Sequence, residues 1–198
     1  MSLELLDTFA TLATTIIIGA TAVAALIQLR HLRAGNQISA MLSIGERFQA
    51  RPFTDALNLI TGELANAMED PLFRNYSARI TAGLKPPAID QLYADTRRAA
   101  ILVGNMYEEL GILVENGIAD RKVFLDRYSW GIARNWPLLE TFIAFTREVA
   151  GSRSLFEHFE YLFILACDWE RRYPSSLPKN TPRLTLRNPW PLPPLPKA

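Results

Sequence analysis

Histidine and cysteine are the residues that this chain has least of. Its 198 residues include two histidines and one cysteine. A single cysteine excludes an intramolecular disulfide and fits a reducing compartment. A zinc site needs several Cys or His ligands, and a carboxylate-bridged di-iron bundle needs Glu-x-x-His pairs on two helices. Because the chain has neither ligand set, we predict no metal centre and no cofactor. The apolar neighbours of Cys167 predict a small core residue.

Two other patterns are also missing. The sequence has neither a G-x-x-x-x-G-K-[ST] loop nor a G-x-G-x-x-G turn, and these are the loops that cradle nucleotide phosphates. No segment alternates apolar and polar residues as a half-buried strand does. We therefore expect an all-α protein. No arrangement of Ser, His and Asp indicates nucleophilic catalysis, and the predicted protein is not an enzyme.

The most distinctive segment that is present is an apolar run, LATTIIIGATAVAALIQL, at residues 12–29. The 22 residues 8–29 carry no charge, and roughly 20 residues suffice for a helix to cross a bilayer. Apolar residues on every face disfavour the first alternative, a buried helix of a soluble protein. A cleaved export signal, the second alternative, needs a positive start, whereas only Glu4 and Asp7 precede the run. We predict a transmembrane anchor over residues 1–34.

The flanks of the run predict its orientation. Arg30 and Arg33 follow the run and no basic residue precedes it, so the C-terminal side should be cytoplasmic and the N-terminus outside. The predicted location is a membrane that the chain crosses once, with the helical domain on its cytoplasmic side. Small residues recur at four-residue spacing along the run, and such rows let helices approach closely in lipid. Gly19, Ala20 and Ala24 are therefore candidate contacts with other membrane-protein subunits or a second copy.

Helical periodicity resumes after the run and predicts a bundle of five to six helices over residues 35–173. Gly35 and Asn36 predict a break before it. The first stripe expected to face inward comprises Ile38, Met41, Leu42, Gly45 and Phe48.

Helix starts and stops follow from capping residues and prolines. Asp70 and Asp120 are predicted N-caps, and the longest helix is expected from about residue 87 to 116. Pro137 should kink or restart the helix that contains it. Ser154 and Glu157 form a capping-box pattern for the last helix.

The charge distribution separates the body from the C-terminal tail. Residues 34–170 hold 13 basic and 18 acidic side chains, whereas residues 171–198 hold six basic side chains and no acid. Eight of the 13 prolines fall in residues 174–198, which predicts an extended, polyproline-like tail without a core of its own. A membrane interface or an acidic protein surface would suit the side chains of Arg183, Arg187 and Trp190. The alternative is a disordered terminus.

One short pattern suggests catalysis. RSLFEH places Arg153 and His158 five residues apart and is similar to the Arg-x4–6-His pattern of HEPN-domain ribonucleases. The resemblance implies that Arg steadies phosphate charge while His moves a proton. Ser154 stands where that family usually has Asn, Asp or His. Because two histidines and 17 arginines produce such a spacing readily, an ordinary Arg and His near a helix cap is the competing interpretation.

Two further charged pairs have structural explanations. Glu108 and Glu109 are expected to be solvated or paired with Arg97 or Arg134, since an unpaired buried carboxylate is costly. Arg97 and Arg98, together with Arg121 and Lys122, could bind phosphates. The acidic balance of the body makes a nucleic-acid partner an unfavoured hypothesis.

The succession IQLRHLRAGNQ, YEELGILVENG and WGIARNWPLLETFI resembles an uncharacterised bacterial family of single-pass membrane proteins with a helical domain of unknown function. The resemblance covers roughly residues 10–165, implies no activity, and leaves the tail as an addition. We therefore expect a non-catalytic interaction protein, an accessory or structural subunit of a larger membrane complex that uses both the span and the tail. A membrane-bound defence effector with a HEPN-like site or an oligomeric pore is the alternative.

Overall fold

The computed structural model describes residues 3–175, 177, 178, 180–185 and 187–191, and within these residues it is all-α. The end of the predicted tail, including Lys197, lies outside the described residues. The helices are α1 (Leu3–Gln49), α2 (Arg51–Leu59), a π-helical turn (Ile60–Leu64), α3 (Ala65–Glu69), α4 (Pro71–Thr81), α5 (Gln91–Glu115), α6 (Arg121–Ala150) and α7 (Glu157–Arg172).

Helix α1 runs without interruption through Gly35 and Asn36, so the predicted break at these residues is wrong. Neither residue removes a backbone donor as a proline would, and a glycine inside a helix costs only about 1 kcal/mol. The result is one helix of 47 residues, about 70 Å long at 1.5 Å per residue. Its N-terminal part carries the apolar run, and its C-terminal part reaches the bundle.

The N-caps of three helices are aspartates. The predicted caps are confirmed, because Asp70 Oδ1 accepts from the Leu72 N–H at 2.8 Å and Asp120 Oδ1 accepts from the Val123 N–H at 2.9 Å. Asp90 caps α5 in the same way. The long helix therefore begins at Gln91 and not at the predicted residue 87.

The two other helix predictions have different outcomes. Helix α6 continues through Pro137 and does not restart there, so a kink at Pro137 stays a prediction. The Ser154–Glu157 capping box is wrong, because α7 begins at Glu157 behind Phe156, whose φ is 58°. The Ser154 hydroxyl instead bonds with the Ser152 hydroxyl. Phe156 is buried. Helix α7 therefore starts behind a residue with a left-handed backbone and a buried ring, and a serine N-cap requires neither.

An aromatic cluster at the centre of the bundle joins α1 to the other helices. The Tyr107 ring on α5 stacks on Phe159 of α7 with centroids 4.4 Å apart, and Phe48 of α1 stacks on Tyr128 of α6 at 4.8 Å. The Tyr107 hydroxyl accepts a hydrogen bond from the Asn135 amide at 2.7 Å. Burial raises the pKa of Tyr107 to about 12. Phe48 thus joins α1 to this aromatic cluster.

The predicted inward stripe of α1 is confirmed in part. Met41 and Phe48 pack against the core. Ile44, which the stripe omitted, is buried, whereas Ile38 and Leu42 are 62% and 65% exposed, so their predicted inward position is wrong. Cys167 is exposed, so its predicted place in the core is also wrong: it follows the buried Ala166 on the outer side of α7.

The bundle has one end directed toward the apolar part of α1. Helix α5 runs antiparallel to α1, since Ile44 lies in a groove with Leu113 and Ile118, and Phe48 contacts Tyr107 further back along α5. Helix α6 starts beside Ala34, which lines the same groove as Asp120 and Val123. The turn between α5 and α6, residues 116–120, therefore forms the base of the bundle, the end nearest the apolar run.

Helices α5 and α7 approach most closely at Gly111. A methyl group at this position would lie 2.4 Å from the backbone oxygen of His158 and 2.6 Å from its Cβ. Both distances are far below van der Waals contact, and a backbone atom cannot rotate away. Only glycine therefore permits this crossing.

We predict that Gly111→Ala lowers the free energy of unfolding by about 1–3 kcal/mol, because α7 must move away from α5. The matched control is Gly131→Ala on α6, where a methyl group meets nothing within 4 Å and should stabilise by about 0.5–1 kcal/mol. Thermal unfolding followed by far-ultraviolet circular dichroism measures both. Equal effects of the two substitutions would contradict the close approach.

Candidate interaction surfaces

The N-terminal part of α1 is exposed on every face. Ile16, Ile17 and Ile18 point in directions 100° apart, yet they are 62%, 65% and 63% exposed. The helix contains an 18-residue window of mean hydropathy 2.1, and none of that window is buried. By length and composition α1 is able to cross a membrane. The threonines in the run do not oppose this, since Thr14, Thr15 and Thr21 return their hydroxyls to backbone oxygens one turn earlier.

The predicted small-residue contacts occupy two neighbouring faces of α1. Ala20 and Ala24 are one turn apart, and Gly19 lies 100° around the helix from Ala20. Eighteen residues make five full turns, so Ile38 stands directly above Ala20 and Leu42 directly above Ala24. Ile38 and Leu42 are exposed. The row containing Ala20 and Ala24 therefore continues beyond the apolar run as an uncovered apolar face.

A groove borders this face where α1 meets α6. Its volume is about 660 Å³, and its walls are mainly apolar. The residues that line it are Ala34, Gln37, Ile38, Met41, Leu42, Gly45, Glu46, Gln49, Asp120, Val123, Arg127 and Tyr128. Sequence reasoning missed this surface because Ile38 and Leu42 were assigned to the core.

Arg153 and His158 have different neighbours. Arg153 is exposed and lines a groove between the end of α6 and the start of α7, and His158 is not among the lining residues. Within the described part of the chain, no hydrogen bond or ion pair joins the two side chains. The catalytic pair that the HEPN resemblance implies stays a prediction.

His158 instead holds α7 against α5 through two carboxylates. Its Nδ1 lies 2.8 Å from Glu108 Oε1, and its Nε2 lies 3.0 Å from Glu115 Oε2. The other Glu108 oxygen accepts the Phe159 N–H at 3.0 Å, in the first turn of α7. The partner of Glu108 is thus His158 and not the expected Arg97 or Arg134, whereas the alternative expectation of solvation is confirmed for Glu109, whose side chain is 58% exposed. Glu109 also has another partner, Arg47 of α1, at 2.6 Å.

These contacts change the protonation of His158. The hydrogen bond to Glu108 raises the pKa of His158, partial burial opposes the rise, and the charges of Glu108 and Glu115 add to it. A raised pKa in the folded state means that protonation favours folding. This stabilisation is fully present below the ordinary histidine pKa of about 6.5 and is lost as the pH rises through the folded-state value.

We predict that the thermal midpoint of the wild-type protein decreases as the pH rises above about 6.5, and that His158→Gln removes most of this dependence. The chain offers a matched control in His31→Gln, because His31 is its only other histidine and is exposed on α1. The control should keep the wild-type slope. Parallel pH profiles for wild type and His158→Gln would show that the contacts of His158 with Glu108 and Glu115 do not couple protonation to folding.

The basic pairs proposed to bind phosphate lie at opposite ends of the bundle. Arg97 and Arg98 are on the first half of α5 and line a groove of about 580 Å³ with Arg47. Arg121 and Lys122 begin α6 at the base. Carboxylates already occupy two of the groove's three arginines, since Arg47 pairs with Glu109 and Arg98 pairs with Asp95. The four residues therefore do not form one site.

The described residues contain no group of three or more His, Cys, Asp or Glu side chains that could hold a metal ion. Cys167 lies on α7 next to Asp168, but Asp168 is paired with Arg171 at 2.6 Å and Arg172 at 2.9 Å. The charged contacts near the end of α7 are thus ion pairs between neighbouring turns of one helix.

The tail leaves the bundle at its base. The last turn of α7, with Trp169, Arg172 and Tyr173, lines one groove with Arg121 and Lys122 at the start of α6. Beyond Tyr173 the described residues are neither helix nor strand. Arg183 and Arg187 are exposed, and Trp190 is 76% exposed. A turn interrupts the described part of the tail, where the Thr181 N–H donates to the Pro178 oxygen at 3.1 Å and Asn180 has a φ of 68°, so the extended, polyproline-like form stays a prediction.

Comparison with protein families adds one match. A family model described as "Domain of unknown function (DUF4760)" matches residues 15–166. The matched region begins inside the apolar run and ends in α7, so the tail lies outside it. The resemblance to an uncharacterised family over roughly residues 10–165 is thus confirmed. No curated protein and no solved structure matches the chain.

Proposed function

Since the chain belongs to the DUF4760 family, whose description assigns no function, we propose a function from its geometry: a non-catalytic interaction protein anchored in the membrane by α1. Its helical bundle stands on the cytoplasmic side of a bacterial inner membrane and acts as an accessory or structural subunit of a larger membrane complex. The observation that carries the proposal is the exposure of α1 on every face over its apolar run.

The physical argument rests on what can cover such a helix. Monomeric soluble proteins rarely expose large continuous apolar patches, and a helix that is apolar all round is buried either in protein or in a bilayer. No other part of the described chain covers residues 7–36. The family match also includes residues 15–29, which supports retention of the run over its removal as an export signal.

The direction of insertion follows from charge. Arg30 and Arg33 are exposed on α1 immediately after the run, while Asp7 is the nearest charge before it. Basic residues are retained on the cytoplasmic side. The bundle that follows them is accordingly cytoplasmic, and the short segment before residue 8 faces outward.

Partner subunits contact the face of α1 that contains Ala20, Ala24, Ile38 and Leu42. Lipid covers an apolar residue in the bilayer as well as a protein does, so Ala20 and Ala24 matter because they permit close helix approach. Ile38 and Leu42 lie 9 and 13 residues beyond Leu29, in water, about 14 and 20 Å along the helix axis. A partner helix that leaves the bilayer beside α1 would cover both parts of the face.

We predict that Ala20→Leu/Ala24→Leu dissociates the native complex extracted in mild detergent, because two added side chains hold the partner helix away. The matched control, Ala22→Leu/Ala25→Leu, adds the same volume on a face centred about 150° around α1 from the Ala20–Ala24 row. On a native gel the control should migrate with the wild-type complex and the test variant at a lower mass.

Membrane extraction provides the internal check for this experiment. The wild type and both variants should remain in membranes washed with alkaline carbonate, because all the substitutions add apolar surface. Release of the wild-type chain by carbonate would contradict the anchor. Retention of all three chains, with identical native mass, would contradict the proposed contact face while leaving the anchor in place.

A further inference from the structure

We propose that the C-terminal tail lies on the anionic phospholipid headgroups at the same membrane surface from which α1 emerges. Arg183 and Arg187 would contact the phosphates, and Trp190 would lie at the level of the headgroups. The inference rests on the proposed function, since it requires that α1 crosses the bilayer. It assigns the tail a lipid partner in place of the protein subunit expected from the sequence.

The first support is where the tail begins. The end of α7 lies beside Arg121 and Lys122 at the base of the bundle, and the start of α6 lines a groove with Ala34. Ala34 is five residues beyond the apolar run, about 8 Å along the α1 axis. The tail therefore leaves the bundle on the side that faces the membrane.

The second support is reach. From Pro174 to Trp190 the chain has 17 residues, and a polyproline-like chain advances about 3.1 Å per residue, which gives roughly 50 Å. This length exceeds the gap between the base and the bilayer several times. The tail can thus descend to the surface and continue along it.

The third support is that no acidic side chain among the described residues pairs with the arginines of the tail. The body carries five more acidic than basic side chains over residues 34–170, yet Arg183 and Arg187 have no ion-pair partner among the described residues. At the base, Asp168 is already shared by Arg171 and Arg172. No described acidic side chain of the body therefore neutralises Arg183 or Arg187.

The composition of the tail favours a lipid surface over an acidic protein face. Leu184 and Trp190, at 86% and 76%, are among the most exposed large apolar side chains of the described residues, and they alternate with Arg183 and Arg187. Tryptophan is enriched at membrane–water interfaces, and basic residues are attracted by anionic lipid. Because the backbone of a polyproline-like chain is already solvated, it needs no matched partner strand or groove.

The test uses the full-length chain in lipid nanodiscs of two compositions, phosphatidylcholine alone and phosphatidylcholine with 30% phosphatidylglycerol. Cys167→Ser removes the native thiol, and Thr185→Cys places an environment-sensitive fluorophore between Arg183 and Arg187. Quenching by neutral acrylamide measures the exposure of the label. We expect at least a twofold lower quenching constant in the anionic nanodiscs, restored to the zwitterionic value by 0.5 M salt because the attraction is screened.

Charge-reversed variants identify the residues responsible. Arg183→Glu/Arg187→Glu should give equal quenching in both nanodiscs, and its tail should partition onto anionic lipid at least tenfold more weakly. The matched control, Arg51→Glu/Lys85→Glu, makes the same charge change at exposed positions on the opposite end of the bundle and should behave as the parent does. Loss of protection in the control as well would overturn the assignment to the tail.

The remaining outcomes separate this inference from the proposed function. A chain that does not elute with the nanodiscs contradicts the anchor. A chain that elutes with them, but whose label is equally quenched in both lipids, contradicts only the tail inference. Protection of the label in zwitterionic lipid as well would overturn the tail inference in favour of apolar contacts. Protection that appears only after native membrane extract is added would overturn it in favour of protein contacts.

Discussion

The structure depends on one constraint, which is that the described part of the chain leaves its own N-terminal helix uncovered. Every face of α1 is apolar across the run, and every face is exposed. The same helix continues without a break through Gly35 and Asn36 into the bundle. Because the helix is continuous, the position of the apolar run fixes the position of the bundle relative to it.

The contacts between α1 and the bundle fix the orientation of the bundle relative to the apolar run. Phe48 packs against Tyr107 and Tyr128, Arg47 pairs with Glu109, and Ile44 is buried against the turn that joins α5 to α6. These contacts direct one end of the bundle toward the run. The exit of the tail and the exposed face with Ile38 and Leu42 are at this same end, so the proposed contacts with lipid and with a partner helix follow from one packing arrangement.

Much of the fold could be predicted because helix signals are local. Hydrophobic periodicity and the caps at Asp70 and Asp120 depend on residues within a turn or two. The predictions that failed depend on which of two apolar faces finds a partner, as for Ile38 and Leu42, or on contacts between distant residues. The clamp of Glu108, His158 and Glu115 joins residues about fifty positions apart, and Gly111 admits α7 only because of that crossing. Neither contact leaves a pattern in the sequence. The apolar run is itself visible in the sequence, but the sequence does not indicate which partners contact it.

The central claim, that α1 crosses the bilayer once with the bundle inside, is tested most directly by reporters fused to each end of the full-length chain in bacterial cells. Green fluorescent protein fluoresces only when it remains in the cytoplasm, because export in the unfolded state prevents it from folding correctly. Alkaline phosphatase is active only outside the cytoplasm. We predict a fluorescent C-terminal fusion, an inactive C-terminal phosphatase fusion and an active N-terminal phosphatase fusion. An active phosphatase at the C-terminus, or both ends in one compartment, would contradict the account.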